Sequence, residues 1–264
     1  MKKIFLLICC FTLMTISEAQ VLDSLQQKEN AEIKSYKSLH KKYNIKPNAK
    51  SFILPATLIT YGFISLGDNG LKTLDKRTEI EIKKNHATYI TKLDNYLQYS
   101  PALAVYGLNT LGIKGKNNFK DRTIIYVLST AISSAIVLPI KSITRKQRPD
   151  GSGFNSFPSG HTTTAFAAAE FMRQEYKNVS PWYGISGYVA ATATGILRLY
   201  NNKHWMSDVI AGAGFGIAST KLSYLLYPVI KRKFFKNKPM STMVLPFYQN
   251  GAGGFSLVHN FKTN

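Results

Sequence analysis

Three clusters in the second half of the chain bring together residue types that handle phosphate. The first runs Lys141-Ser142-Ile143-Thr144-Arg145-Lys146-Gln147-Arg148-Pro149. Lys141 closes an apolar stretch, Arg148 follows about two helical turns later, and Pro149 is expected to stop the helix. A guanidinium grips an anion with a planar fork and an ammonium acts as a compact point charge, so this pair at a helix end can clamp a phosphate. Standing alone, the same cations are better explained as long side chains reaching past apolar surface into water. The second cluster is Phe157-Pro158-Ser159-Gly160-His161, just before the apolar run Thr162–Phe171. Ser and Gly suit a helix start, where unpaired N–H groups and the Ser159 hydroxyl can form an anion site. His161 is placed to give a proton to a departing oxygen, although a capped helix with a buried histidine is the plainer account. The third cluster is Arg198, His204 and Asp208. Four-residue spacing puts His204 and Asp208 on one face if a helix begins there. A carboxylate accepting Nδ1–H would fix the tautomer and leave Nε2 free to attack; a purely structural His–Asp bond uses the same spacing.

Together the clusters hold cationic clamps, an N–H pocket, a proton donor and a supported nucleophile, the parts that in-line phosphoryl transfer needs. A metal route would call for several carboxylates or more histidines. The clusters offer only Asp150 and Asp208, so neither a metal nor another cofactor is expected.

The three motifs match, in order, the superfamily of type 2 phosphatidic acid phosphatases and vanadium haloperoxidases: Lys, six residues, Arg-Pro; Pro-Ser-Gly-His; Arg, five residues, His, three residues, Asp. The chain resembles that superfamily over roughly residues 98–230. The resemblance implies that Lys141, Arg148, Ser159, Gly160 and Arg198 bind phosphate. It implies that His161 is the general acid, His204 the nucleophile that becomes phosphorylated, and Asp208 its orienter. One departure is Leu197, where the family usually has Ser before the third arginine. The chain is also similar to exported bacterial members, and its Lys- and Asn-rich composition resembles that of Bacteroidetes relatives. Phosphatidic acid-type lipids, undecaprenyl pyrophosphate and lipid A are the substrates these resemblances imply.

The elements that must position these residues read as membrane helices. Blocks with few or no charges cover Ser51–Gly67, Leu97–Ile113, Ile124–Ile140, His161–Met172, Val179–Leu197 and Val209–Ile230. Several approach the length that spans a bilayer. They are rich in small residues that let helices pack closely, and Gly212 and Gly216 have GxxxG spacing. The expected fold is all-α: a membrane-embedded bundle of about five or six core helices over residues 51–233, with core motifs at 141–208. A signal sequence is expected at 1–19, where Lys2 and Lys3 precede an apolar run and Ser17 and Ala19 suit cleavage. Residues 20–50 read as a polar helical leader. Residues 240–262 read as a β-hairpin around Gly251 to Gly254. Cys9 and Cys10 are the only cysteines, both in the apolar run of the expected signal, so no disulfide is expected elsewhere.

The chain carries 34 Lys and Arg against 14 Asp and Glu, a formal charge of +20, which suits anionic partners. The cations are scattered between apolar blocks rather than gathered as a nucleic-acid patch, so a phosphorylated lipid and the bilayer are the expected partners, and nucleic acid is not. Basic residues mark one set of connections: Lys114, Lys116, Lys120 and Arg122; Arg173 and Lys177; Lys231, Arg232 and Lys233. Short basic loops stay cytoplasmic, so the motif-bearing end is expected to face the periplasm from the inner membrane. Counting Ser51–Gly67 as a full span after a cleaved signal gives the opposite orientation. Alternatives are a soluble periplasmic acid phosphatase, a vanadium haloperoxidase with vanadate on His204, and a non-catalytic scaffold for anionic lipid.

Overall fold

The computed structural model describes residues 49–86, 89–234, 242–249 and 252–259. The expected signal at 1–19, with both cysteines, and nearly all of the leader at 20–50 lie outside the described residues.

Among the described residues eight α-helices follow one another: α1 (Ile53–Ile64), preceded by a 3-10 turn (Ala49–Phe52), α2 (Gly70–His86), α3 (Leu93–Leu97), α4 (Ser100–Thr110), α5 (Phe119–Thr144), α6 (Gly160–Tyr176), α7 (Pro181–Tyr200) and α8 (Met206–Phe234). Strands β1 (Thr242–Gln249) and β2 (Ala252–His259) pair antiparallel. Asn250 and Gly251, in the connection between them, lie outside the described residues.

Helix α6 is the centre of the bundle. It packs on α7 and α8, and also on α4 and α5. Its run of small residues explains why: Ala165, Ala167, Ala168 and Ala169 are buried with Phe171 and Met172. Glycines set the closest approaches of α8. A Cβ on Gly216 would stand 2.3 Å from the Thr163 carbonyl oxygen, and one on Gly212 would stand 2.7 Å from that of Ser159. Between them, a Cβ on Gly214 would meet the Pro55 carbonyl oxygen at 2.8 Å. The GxxxG pair therefore seats α8 on α6, and the intervening glycine seats α1 on the other side.

Among the described residues two helices are long and apolar enough to cross a membrane: α5 and residues Met206–Lys231 of α8. Only 22% of the apolar window of α5 is buried within the protein, so most of that window faces outward. Helix α7 and the central α6 do not meet that measure. Helix α1 has 12 residues, about 18 Å of rise, against a hydrocarbon core of about 30 Å. Its Gly62 meets Ala211 and Ser207 near the start of α8, and its Pro55 and Ile59 meet Gly214 further along. The block Ser51–Gly67 thus covers one end of the bundle and stops partway.

The two ends of the bundle differ chemically. At one end, Glu175 at the close of α6 accepts from the backbone and side-chain amides of Asn117 and from the Tyr224 hydroxyl. Lys231 pairs with Asp121 at 2.6 Å. Arg122, counted from sequence as a loop cation, is 1% exposed, with its guanidinium on the Asn117 carbonyl and near Glu175. The three motifs lie at the opposite end, at the close of α5 and α7 and the opening of α6 and α8.

Candidate active site

Helix α5 ends at Thr144, earlier than Pro149 led us to expect. Arg145 takes a left-handed conformation (φ 44°) and closes the helix through its N–H on the Lys141 carbonyl. Lys141 therefore stands in the last helical turn, whereas Arg148 comes from a loop that folds back. Arg148 N–H donates to the Gly153 carbonyl and Ser156 N–H to that of Lys146. The loop thereby presents Asn155 to both cations: Lys141 Nζ donates to its carbonyl at 2.7 Å, and Arg148 Nε donates to its Oδ1 at 2.8 Å.

The second motif opens α6. Ser159 is fully buried as the N-cap; its hydroxyl accepts from the N–H and hydroxyl of Thr162, and its own N–H donates to the Asp208 carbonyl. Ser159 thus ties the start of α6 to the start of α8. Gly160 follows, and a Cβ added there would stand 3.9 Å from Lys141 Cε. The end of the Lys141 side chain therefore lies over the first turn of α6. His161 Nε2 is 2.7 Å from Asn95 Oδ1 of α3.

Arg198 is 7% exposed in the last turn of α7. Its guanidinium pairs with Asp94 of α3 at 2.5 Å, and Asn201 also donates to that carboxylate. Burial favours the neutral acid at Asp94, but the hydrogen bond and charge of Arg198 outweigh it and hold the carboxyl below its ordinary range. Arg198 Nε is buried without a hydrogen-bond partner among the described residues. The three cations also meet electrostatically at His161. Burial first, then Arg198, Arg148 and Lys141, push its imidazole down to about 4 against the pull of Asp94.

His204 is arranged differently from the sequence expectation. It precedes α8 by two residues, so it and Asp208 do not share a helical face. Its Nδ1 is 2.8 Å from the Ser156 carbonyl and 3.8 Å from Asp208 Oδ2. The expected direct bond to Asp208 is not made, because that carboxylate is occupied. Asp208 Oδ2 caps its own helix through Trp205 N–H and accepts from the Ser156 hydroxyl, and Oδ1 takes Lys146 Nζ at 2.9 Å. The consequence for the imidazole is the same. A carbonyl only accepts, so Nδ1 carries the hydrogen and Nε2 keeps its lone pair. Burial pushes His204 down to about 4, with Lys141 and Arg198 adding to the effect and Asp208 opposing it.

The structure therefore brings Lys141, Arg148, Gly160, His161 and Arg198 around one end of the bundle, with Ser159, His204 and Asp208 buried beside them. Sequence reasoning missed Asn155 and Ser156 of the connecting loop, Asp94 and Asn95 of α3, and Asp75 of α2. None of these belongs to a spaced motif; the one local sign was the crowding of polar residues between Asp150 and Ser156. Leu197 is half-buried beside Arg198. Among the described residues no three His, Cys, Asp or Glu side chains are grouped as a metal would require.

Comparison with known proteins places these motifs in context. Residues 122–232 match the family model described as the PAP2 superfamily. A lipid A 1-phosphatase of Porphyromonas gingivalis is 40% identical over 146 residues, covering 55% of this chain and 33% of that protein. A lipid A 1-phosphatase of Rhizobium johnstonii is 37% identical over 78 residues, 29% of this chain and 30% of that protein. The chain thus spans about a third of the length of the curated relatives it matches. Among solved structures, the first transmembrane PAP2 type phosphatidylglycerolphosphate phosphatase from Bacillus subtilis superposes with a TM-score of 0.48 at 21% identity, covering 68% of this chain and 98% of that one. Aquifex aeolicus LpxE gives 0.42 at 22% identity, over 54% and 92%.

Proposed function

Residues 122–232 match the PAP2 superfamily, and from that premise we propose that the chain is a member of it, a membrane phosphatase that removes a phosphate from a lipid, with the 1-phosphate of lipid A as its substrate. The observation that carries the reading is the pairing of two histidines in different states of engagement. His204 has Nδ1 committed to a carbonyl and Nε2 left basic, and His161 lies amid Lys141, Arg148 and Arg198. Lipid A 1-phosphatases of two organisms match part of this chain at 40% and 37% identity, which supports the choice of lipid.

In this reading Lys141, Arg148 and Arg198 hold the phosphate oxygens, helped by the opening N–H groups of α6 at Gly160 and His161. His204 Nε2 attacks phosphorus, an N–P bond forms, and the bond from phosphorus to the lipid oxygen breaks. His161 gives that oxygen its proton. Water then attacks the phosphohistidine, passes a proton back to His161, and releases inorganic phosphate. The negative charge of the bound phosphate offsets the cations that depress His161, so the acid takes up its proton together with the substrate. Asp208 orients His204 through Ser156 rather than by direct contact.

A signal sequence at 1–19, inner-membrane location and a periplasm-facing site complete the proposal, with the tail hairpin outside the phosphatase core. Helix α1 supports that orientation, because its 12 residues run only from beside Gly214 to beside Ser207 of α8, short of a crossing. The test is phosphate release by the purified protein from lipid A, phosphatidic acid, phosphatidylglycerol phosphate, undecaprenyl pyrophosphate and a soluble aryl phosphate. Lipid A is expected to lead, with loss confined to its 1-phosphate. Preference for the aryl phosphate by protein that needs no detergent would replace this reading with a soluble acid phosphatase.

A further inference from the structure

Helix α2 exposes most of its length to its surroundings, and Asp75 is its one buried residue. Burying a carboxylate costs several kcal/mol unless charge and hydrogen bonds offset it. Here both oxygens are engaged. Oδ1 accepts from Ser207 N–H at 2.8 Å, and Oδ2 takes the Ser207 hydroxyl and Lys146 Nζ, the latter at 3.3 Å. Lys146 lies inside the first motif, yet its ammonium joins Asp75, Ser207 Oγ and Asp208 Oδ1. Its backbone carbonyl holds Ser156 N–H.

The connections form a closed path. Lys146 grips Asp208 by its side chain and Ser156 by its backbone, Asp208 accepts the Ser156 hydroxyl, and the Ser156 carbonyl holds His204 Nδ1. Every polar group of Ser156 is thus committed, and a peptide plane so fixed holds the imidazole in one direction. Resting on the phosphatase reading above, we infer that Lys146 and Asp75, bridged by Ser207, are positioning residues for the nucleophile. They hold the carbonyl that orients His204 and balance its charge. Two carboxylates against one ammonium leave a net negative cluster behind the ring, which favours the positive charge that grows on imidazole as Nε2 attacks.

Neither residue reaches the clamp, so their loss should slow chemistry and leave phosphate binding intact. The charged groups facing His204 are Asp75 and Glu79 of α2, Lys141 and Lys146 around the end of α5, Arg198 of α7 and Asp208 of α8, with His161 of α6 at the same end. Removing the Asp75 charge should lower the proton affinity of His204, and removing that of Lys146 should raise it. A purely structural role would move neither.

The experiment uses the full chain in detergent with lipid A. In Asp75→Asn and Lys146→Met, kcat is expected to fall about tenfold to a hundredfold, as a modest misplacement of a reacting group does. Inhibition by inorganic phosphate should stay within about threefold of the parent, since the clamp lies at other residues. The 15N titration of His204, which needs no turnover, should shift down in pH for Asp75→Asn and up for Lys146→Met. Ser207→Ala, which removes no charge, carries the test if either charge variant does not fold. Its kcat should drop about fivefold with the titration in place. Parental kcat in Ser207→Ala, or folded charge variants with parental kcat or an unmoved titration, would overturn the inference. A parent that releases no phosphate from any substrate would instead overturn the functional reading, and the His204 titrations would still decide this one.

Discussion

At the scale of single residues, the two histidines differ in what holds them. His204 is fixed by a carbonyl that accepts only, and His161 meets an amide oxygen on α3, a segment outside the matched family region. His204→Ala should lower phosphate release about 10⁴-fold or more, since the covalent route is lost. His161→Ala should lower it about 10²- to 10⁴-fold, the usual worth of a general acid. Initial rates on lipid A check both, and orthovanadate should inhibit the parent because it mimics the trigonal bipyramidal state. The pH dependence follows from burial. With His204 pushed down to about 4, the proposed nucleophile is neutral above that value and activity should be lost as pH falls through it. An ordinary histidine would lose it near 6.5. The sign for stability is the same. A folded value below the unfolded one gives stability that is fully present above about 6.5 and lost as pH falls through about 4. Rate profiles and thermal melts between pH 3.5 and about 7.5 read the two effects separately.

At the scale of elements, the geometry of the proposed site depends on how closely α8 approaches α6. The same α8 start carries Asp208, and Ser159 at the α6 start donates to the Asp208 carbonyl. Gly216→Ala places a methyl 2.3 Å from the Thr163 carbonyl oxygen, a backbone atom that cannot step aside. Overpacking of this kind costs about 1 to 3 kcal/mol. A lowered melting temperature in detergent is the expected result, together with reduced turnover as the two motif-bearing helix starts separate. Gly107→Ala on α4 meets nothing within 4 Å and should melt like the parent or slightly higher. Equal melting of the two variants would mean that α8 and α6 are not held by that contact.

At the scale of the whole molecule, charge is divided between the two ends of the bundle. Lys114, Lys177 and Lys231 lie at the end opposite the motifs, and because short basic connections tend to stay in the cytoplasm, the proposed orientation puts that end inside. A single cysteine on the motif loop tests the orientation, in a background lacking Cys9 and Cys10. Phe154 is the position of choice, being 58% exposed, whereas the neighbouring Asn155 holds both Lys141 and Arg148. Phe154→Cys should react in intact cells with a maleimide that does not cross the inner membrane. Labelling only after that membrane is opened would reverse the orientation.

The convergence of the three motifs at one end of the bundle was legible in the sequence, because phosphate chemistry, the role proposed for them, demands particular side chains and the spacing within each motif keeps them on one short segment. The apolar blocks and the glycine pair were legible for a similar reason: helix packing leaves a local, periodic record. What holds those residues was not legible. The partner of His204 is the Ser156 backbone carbonyl, and every residue type offers a carbonyl, so no letter marks it. Asp75, Asp94 and Asn95 meet their partners across 66 to 132 positions of chain, and nothing local distinguishes them from other polar residues on exposed helices. The early end of α5 at Arg145 likewise arises from the loop's backbone bonds rather than from Pro149. Which groups could do chemistry was a matter of composition and spacing, whereas the tautomer of His204 was decided by tertiary packing, because a hydrogen bond depends on where two atoms meet.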